Sequence, residues 1–392
     1  MNLNMTPNAD RIHIGIFGRR NAGKSSLINA ITNQNIAIVS PVKGTTTDPV
    51  YKAMELLPLG PVMFVDTPGL DDEGELGALR IKKTNQVINK IDIALIVIDS
   101  ETGKGEIEEA LEEKLKAKKI PYLLVYNKSD LKALSGLSEN EISVSAENLE
   151  GIEALKEHIA KKLKSTTPEF PIISDLIEPS DIVVLVTPID ESAPKGRIIL
   201  PQQQTIREIL DSHASAITCQ VSELGGVLES LRRSPKMVIT DSQAFGEVSK
   251  IVPREIPLSS FSILMARHKG ELFHQLNGMK ALENLKDGDK VLISEGCTHH
   301  RQCNDIGTVK IPYLIKDYTK TDVVFKFSSG SEFPEDLSKY SLIVHCGGCM
   351  LNEREMKYRI QTAKDQGVPI TNYGMLLAKI SGVLDRSLEI FN

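Results

Sequence analysis

Apolar, β-branched runs alternate along this chain with stretches whose apolar residues recur every three to four positions. Over roughly the first 165 residues the runs fall at Ile12 to Phe17, Val62 to Asp66, Ile93 to Ile98, Pro121 to Tyr126 and Ile142 to Val144, with helical patterns between most of them. This alternation predicts an α/β domain with a mainly parallel sheet. A helix predicted over Leu149 to Leu163 closes the unit. After it, Lys164-Ser-Thr-Thr-Pro-Glu-Phe-Pro171 breaks the helical period with two prolines and small polar residues, which marks a domain boundary.

Two further α/β units are expected beyond that break. The first has strands at Asp181 to Thr187, Ala216 to Val221 and Lys236 to Thr240, with a helix near Gln203 to Ser212. It holds no cluster of titratable groups that reads as a catalytic site. In the second, Lys290 to Ser294, Asp322 to Phe327, Ser341 to His345 and Val368 to Thr371 read as strands, and Asn352 to Gln366 as a helix. The expected fold class is therefore α/β throughout, with segments at 1–166, 172–264 and 267–392. There is no internal repeat or low-complexity segment.

Composition narrows the class. At 392 residues the chain is long enough for two or three domains at roughly 150 residues each. It has no apolar run near the roughly 20 residues that span a bilayer, so no membrane role is expected. The amino terminus lacks a basic region followed by a long apolar stretch, which leaves the cytoplasm as the expected location. A formal net charge of −6 argues against a broad electrostatic grip on nucleic acid.

The first chemistry-bearing pattern is Gly18-Arg-Arg-Asn-Ala-Gly23-Lys24-Ser25, a Walker A sequence between a predicted strand and a helical pattern opening at Ser26. Backbone N–H groups from Gly18 through Ala22, Gly23 and Ser26 can surround phosphate oxygens, Lys24 adds positive charge, and Ser25 can ligate magnesium. Asp66-Thr-Pro-Gly69 closes an apolar strand, placing one carboxylate near that metal and a glycine N–H where a γ-phosphate could be sensed. Asn127-Lys128-Ser-Asp130 follows another strand. Its Asp130 can accept both hydrogen bonds that guanine N1–H and the exocyclic amine offer, a pair adenine lacks. Ser145-Ala146 lies at a further strand end, where a backbone N–H can reach the guanine carbonyl. Taken singly, Asn127 or Ser145 could be turn residues; it is the four motifs in order that specify GTP.

GRRNAGKSSL, GTTTD over Gly44 to Asp48, DTPGL, NKSD and SAEN together resemble the translation-factor-related GTPases, and among them the TrmE-like and Era-like branch, over about 160 residues. That resemblance implies a GTP-hydrolysing switch with Thr46 as a magnesium-binding threonine and Asn21 holding a potassium ion. One departure matters: Leu70 stands where Ras-like GTPases use a glutamine to orient the attacking water. Slow intrinsic hydrolysis is expected unless potassium and another polar group substitute. Glu73 and Glu75 are candidates for that group, or simply surface acids.

The cysteines supply a second pattern. Cys219 sits alone in an apolar run and reads as a core residue. The other four fall within 53 residues: Cys297-Thr-His299-His300-Arg-Gln-Cys303-Asn-Asp305, then His345-Cys346-Gly-Gly-Cys349. A disulfide framework would be unusual in a reducing compartment, so metal ligation or redox chemistry is favoured. Thiolates and imidazoles suit zinc, and thiolates suit iron-sulfur clusters, so spacing alone leaves both open.

The combination of a TrmE-like GTPase segment with CxH, 45 intervening residues and HCxxC resembles the HydF family of FeFe-hydrogenase maturation GTPases across essentially the whole chain. The resemblance implies GTP-binding, dimerisation and cluster-binding domains, a homodimer, and a 4Fe-4S cluster held by Cys297, Cys346 and Cys349. His299 is the first candidate for an exchangeable fourth position, with His345 and Asp305 behind it, and Cys303 lies outside the motif. It further implies GTP, Mg2+ and K+ as ligands and a transient di-iron subcluster as cargo. Radical-SAM maturation enzymes and apo-hydrogenase are the implied partners. The alternative is a tRNA-modification or ribosome-associated GTPase with a structural zinc.

Overall fold

The computed structural model describes residues 8–33, 49–68, 83–164, 170–188, 198–269, 272–296, 305–330, 332–348 and 350–391. The chain forms two compact units, Met1–Thr167 and Pro168–Asn392.

The first unit is one six-stranded sheet: β1 (Ile12–Phe17), β2 (Val50–Leu56), β3 (Gly60–Asp66), β4 (Ile93–Asp99), β5 (Tyr122–Asn127) and β6 (Glu141–Ser143). Their order is β2-β3-β1-β4-β5-β6; β2 runs antiparallel to β3 and every other pairing is parallel. Both faces are covered. Ile93, Leu95 and Val97 of β4 enter a core shared with the helices Lys24–Thr32 and Ile152–Lys164, while Ala94, Ile96 and Ile98 enter one shared with the helix Glu106–Ala117. A strand buried on both faces has to be apolar at consecutive positions, which is why β4 reads as an unbroken run.

The second unit contains two four-stranded parallel sheets. One orders β10-β9-β7-β8, from β7 (Ile182–Val186), β8 (Ser215–Cys219), β9 (Met237–Thr240) and β10 (Leu258–Ser260). The other orders β12-β11-β13-β14, from β11 (Lys290–Glu295), β12 (Val324–Ser329), β13 (Leu342–His345) and β14 (Ile370–Asn372). One hydrophobic cluster joins them: Val184, Val238 and Leu258 of the first sheet and Val291, Leu342 and Val344 of the second belong to it, with Cys219 buried there as well. Burial raises the Cys219 thiol above its ordinary range, with Glu223 adding to the effect. The chain then returns to the earlier sheet, where Arg386 donates to the carbonyls of Ser249, Val252, Pro253 and Ile256. Among the described residues no helix is long and apolar enough to cross a membrane.

Candidate functional site

The phosphate loop runs from the end of β1 into the helix Lys24–Thr32. Gly23 adopts φ +89°, and a Cβ there would stand 2.2 Å from the Asn127 side-chain nitrogen, so both conformation and space require glycine. Asn127, almost fully buried, ties three motifs together. Its Nδ2 donates to the Ala22 carbonyl at 3.0 Å, and its Oδ1 accepts from the Ala146 amide at 3.0 Å. The Lys24 ammonium donates to the carbonyls of Gly18 at 2.9 Å and Arg19 at 2.7 Å, which holds it inside the loop's curl. Ser26 is half-buried in the first helical turn, and Asn21 is exposed at φ +60°, a conformation asparagine tolerates better than most residues.

Asp66 ends β3 beside β1, in register with Ile16. Ser25 Oγ donates to Asp66 Oδ2 at 3.1 Å, while Asp66 Oδ1 is buried with no protein partner. Burial raises the Asp66 carboxyl above its usual range, against the lowering pull of Lys24, Ser25 and Lys52. A hydroxyl and a desolvated carboxylate with one oxygen left over suit a hard divalent cation such as magnesium. Thr67 fixes the turn that follows, its amide and hydroxyl both donating to the Ile16 carbonyl. Thr46, Gly69, Leu70, Glu73 and Glu75 lie outside the described residues.

On the base side, Lys128 Nζ donates to Asp99 Oδ2 at 2.6 Å from the end of β4, and Ser145 Oγ donates to Asp130 Oδ1 at 2.5 Å. Burial works to raise the Asp99 carboxyl, and the bonds from Lys128 and the Glu101 amide outweigh it, leaving it below the ordinary value. The amide of Ser145 is donated to the Glu150 carbonyl and that of Ala146 to Asn127. For either to meet a guanine carbonyl, as the sequence suggested, one of those bonds must be exchanged.

The cysteine site is built at the carboxyl ends of β11 and β13. These neighbours are parallel, with Ser294 opposite His345, and the sheet changes direction between them: the chain passes from β11 to β12 on one side, then to β13 and β14 on the other. Such a switch point is where open α/β sheets collect ligands. The Cys346 sulfur receives the Gly296 amide at 3.1 Å and the Gly348 amide at 3.4 Å, the surroundings of a thiolate ligand. Gly348 has φ +64°, and a Cβ there would fall 2.7 Å from the Met356 sulfur. Soft sulfur, two amides aimed at it and a glycine cradle fit a thiolate-held metal centre. Cys297, which follows Gly296 directly, lies outside the described residues, as do His299, His300, Cys303 and Cys349; among the described residues no three metal-binding side chains come together.

His345 does not present a ligand atom. It is almost fully buried, its Nδ1 lies 2.7 Å from the Cys346 carbonyl, and its Nε2 lies 3.0 Å from Arg359 Nη1. Both contacts are met by a neutral ring that donates from Nδ1 and accepts at Nε2. Burial, then the Arg359 charge, pull its pKa down to about 3, against the Cys346 carbonyl. Arg359 is itself fully buried, donating to Glu355 Oε1 and the Gly330 carbonyl at 2.6 Å each. Asp305, also proposed as a ligand, accepts the amide and hydroxyl of Thr308 at 2.8 Å. Tyr373, buried, donates to Glu295 at 3.2 Å, and its hydroxyl is pushed upward by burial, then by the charges of Glu295, Cys346 and Asp305. Sequence reasoning missed Glu295, Tyr373, Glu355 and Arg359. Only Glu295 carried a signal, as the last residue of a strand two positions before Cys297.

Three family models match in series. Residues 13–128 match the 50S ribosome-binding GTPase family, 172–270 the hydrogen maturase F dimerization domain, and 273–390 the hydrogen maturase F tetramerization domain. The last segment, expected from sequence to bind a cluster, is thus matched by a model named for self-association. Among curated relatives, the tRNA modification GTPase MnmE of Chromobacterium violaceum is 35% identical over 152 residues, 37% of this chain and 33% of its own. GTPase Der of Wolinella succinogenes is 32% identical over 177 residues, 41% and 37% respectively. The chain spans about a third of the length of the curated relatives it matches. Among solved structures, Aquifex aeolicus Era aligns over 53% of this chain and 91% of its own at 20% identity, with a TM-score of 0.35.

Proposed function

Because the chain belongs to the hydrogen maturase F family, we propose that it is a GTP-hydrolysing scaffold that binds a 4Fe-4S cluster, accepts a di-iron precursor and delivers it to apo FeFe-hydrogenase. The observation that carries this reading is the pairing, in one chain, of an assembled GTP site with Cys346 at the β11–β13 switch point under the amides of Gly296 and Gly348. The work divides among segments 1–166 for nucleotide, 172–264 for dimerisation and 267–392 for the cluster.

Cys297, Cys346 and Cys349 would hold the cluster, which with three thiolates for four irons would offer an attachment point for the di-iron cargo. His299 is the first candidate for a labile ligand there, with Asp305 behind it. Arg359 and Glu355 hold His345 against the Cys346 carbonyl, which orients the peptide that carries the thiol. On the nucleotide, Lys24 offsets charge on the β- and γ-phosphates, Ser25 and Thr46 hold magnesium with Asp66 beside it, and the Gly69 amide senses the γ-phosphate. Asp130 with Lys128 selects guanine. With Leu70 in place of a water-orienting glutamine, hydrolysis is slow, and potassium at Asn21 accelerates it. Nucleotide state biases the binding and release of radical-SAM maturation enzymes and apo-hydrogenase through the Thr46 and Gly69 segments.

The competing reading, a tRNA-modification or ribosome-associated GTPase with structural zinc, is not favoured. The similarity to MnmE and Der is confined to about two-fifths of the chain. Anaerobic purification with metal analysis and an absorption spectrum tests the proposal: iron, sulfide and a visible charge-transfer band are expected, and a colourless zinc protein would sink it.

A further inference from the structure

Arg19 is the second residue of the phosphate loop, and its side chain turns away from the Lys24 pocket toward the helix Glu106–Ala117. There Arg19 Nη2 donates to Glu108 Oε2 at 2.9 Å. The same oxygen accepts the Gly105 amide at 3.0 Å at the start of that helix. The Glu108 side chain is 2% exposed and that of Arg19 34%, so a nearly dry carboxylate is neutralised by a cation that comes from the loop. Gly105 completes the receptacle. Its backbone is extended, at φ −134°, so any residue could adopt it, yet a Cβ there would stand 1.9 Å from Arg19 Nη2. The missing side chain is the space the guanidinium occupies.

The peptide this side chain anchors is the one Lys24 uses: the Arg19 carbonyl accepts Lys24 Nζ at 2.7 Å. The connection that supplies Gly105 begins at Asp99, whose carboxylate holds Lys128 of the base-recognition motif. One short stretch, Asp99 to Gly105, is therefore pinned to the base side of the site at one end and to the phosphate side at the other.

We infer that Arg19 is a positioning residue for nucleotide phosphates: locked to Glu108 through the space left by Gly105, it fixes the loop carbonyl that aims Lys24. Its side chain acts through Lys24. Loosening the loop that this bond pins is expected to lower nucleotide affinity about tenfold. The inference needs only the GTPase unit and is independent of the cluster proposal.

The test uses the full chain, with GDP and GTP affinities from displacement of a fluorescent GDP analogue, steady-state kinetics, and melting without nucleotide. Arg19→Ala and Gly105→Ala are each expected to weaken GDP and GTP binding and raise KM about tenfold, and because both act through Lys24 a smaller fall in kcat accompanies the loss. Arg19→Lys should recover part of the loss. Glu108→Gln combined with Arg19→Ala should be no worse than Arg19→Ala alone, because both remove one interaction. Unchanged affinity in folded Arg19→Ala and Gly105→Ala proteins overturns the inference. So do additive losses in the double variant, or losses that merely follow a fall in melting temperature.

Discussion

Arg359 donates to His345 Nε2 at 3.0 Å from a position with no solvent exposure, and in doing so removes the imidazole from the pool of metal ligands. A nitrogen whose lone pair accepts from a guanidinium has none left for iron or zinc. The histidine beside Cys346 therefore orders the turn, although its place in an HCxxC sequence suggests ligation.

Removing that guanidinium takes its cation away from the buried Glu355 carboxylate. Arg359→Met is expected to destabilise the protein by about 3 kcal/mol, read from urea denaturation. Replacing Glu355 by Gln in the same chain should recover part of it. If Arg359→Met is as stable as the parent, the buried network has no structural weight.

The nucleotide and thiol sites belong to different compact units. Lys24→Ala should lower GTP turnover by at least about a hundredfold while leaving bound iron unchanged, and Cys346→Ser should do the reverse. Metal content and phosphate release measured on the same preparations decide this; loss of both from either change contradicts independent sites.

Potassium dependence is a separate matter. At equal ionic strength, GTP turnover is expected to be faster in potassium than in sodium, and Asn21→Ala should erase the difference. Equal rates in the two salts for the parent protein would remove the monovalent-cation proposal.

Asp66 joins stability to catalysis. Its carboxyl is raised by burial, so the folded state holds that proton more tightly than the unfolded chain does. The associated stability is present below the unfolded carboxylate value, is lost as pH rises through the folded value, and stays lost at neutral pH. Asp66→Asn should therefore stabilise the magnesium-free protein by about 1 kcal/mol and abolish magnesium-dependent hydrolysis. A lower melting temperature for this variant would contradict the account.

Glu112 has the opposite sign. Burial works to raise its carboxyl, but bonds from Lys104, Lys116 and Tyr122 carry it down to about 2. The stability it contributes is present above the ordinary carboxylate value and is lost as pH falls from about 4.5 toward about 2. Glu112→Gln should flatten the acid side of the stability profile in that window. A profile identical to the parent's would show that the bonds carry no net energy.

Most strands were legible because they lie inside parallel sheets and are apolar at successive positions; β1, β4, β5, β7 and β13 fall almost where the apolar runs do. Two were not. β2 is an antiparallel edge strand whose residues are largely exposed, so Val-Tyr-Lys-Ala-Met-Glu-Leu gives no run to read. β10 is Leu-Ser-Ser, its serines fully buried through contacts that local sequence does not encode. At the GTP site the motifs named the residues, but not that Asn127 would join the phosphate loop to Ala146. At the thiol site Arg359 was invisible, because a charged residue on a polar helix reads as solvated until the sheet beneath it is known.

The hydrophobic cluster shared by the second and third sheets sets how this chain can be divided. Val184 and Val344 lie in one core, and Arg386 and Phe391 return to the earlier sheet from the far end of the sequence. A fragment ending between the two sheets would leave half of that core facing water. The two family segments are thus separable as ancestry but share one core, and a lesion in the sheet of the dimerization segment is expected to reach the thiol-bearing sheet as lost stability.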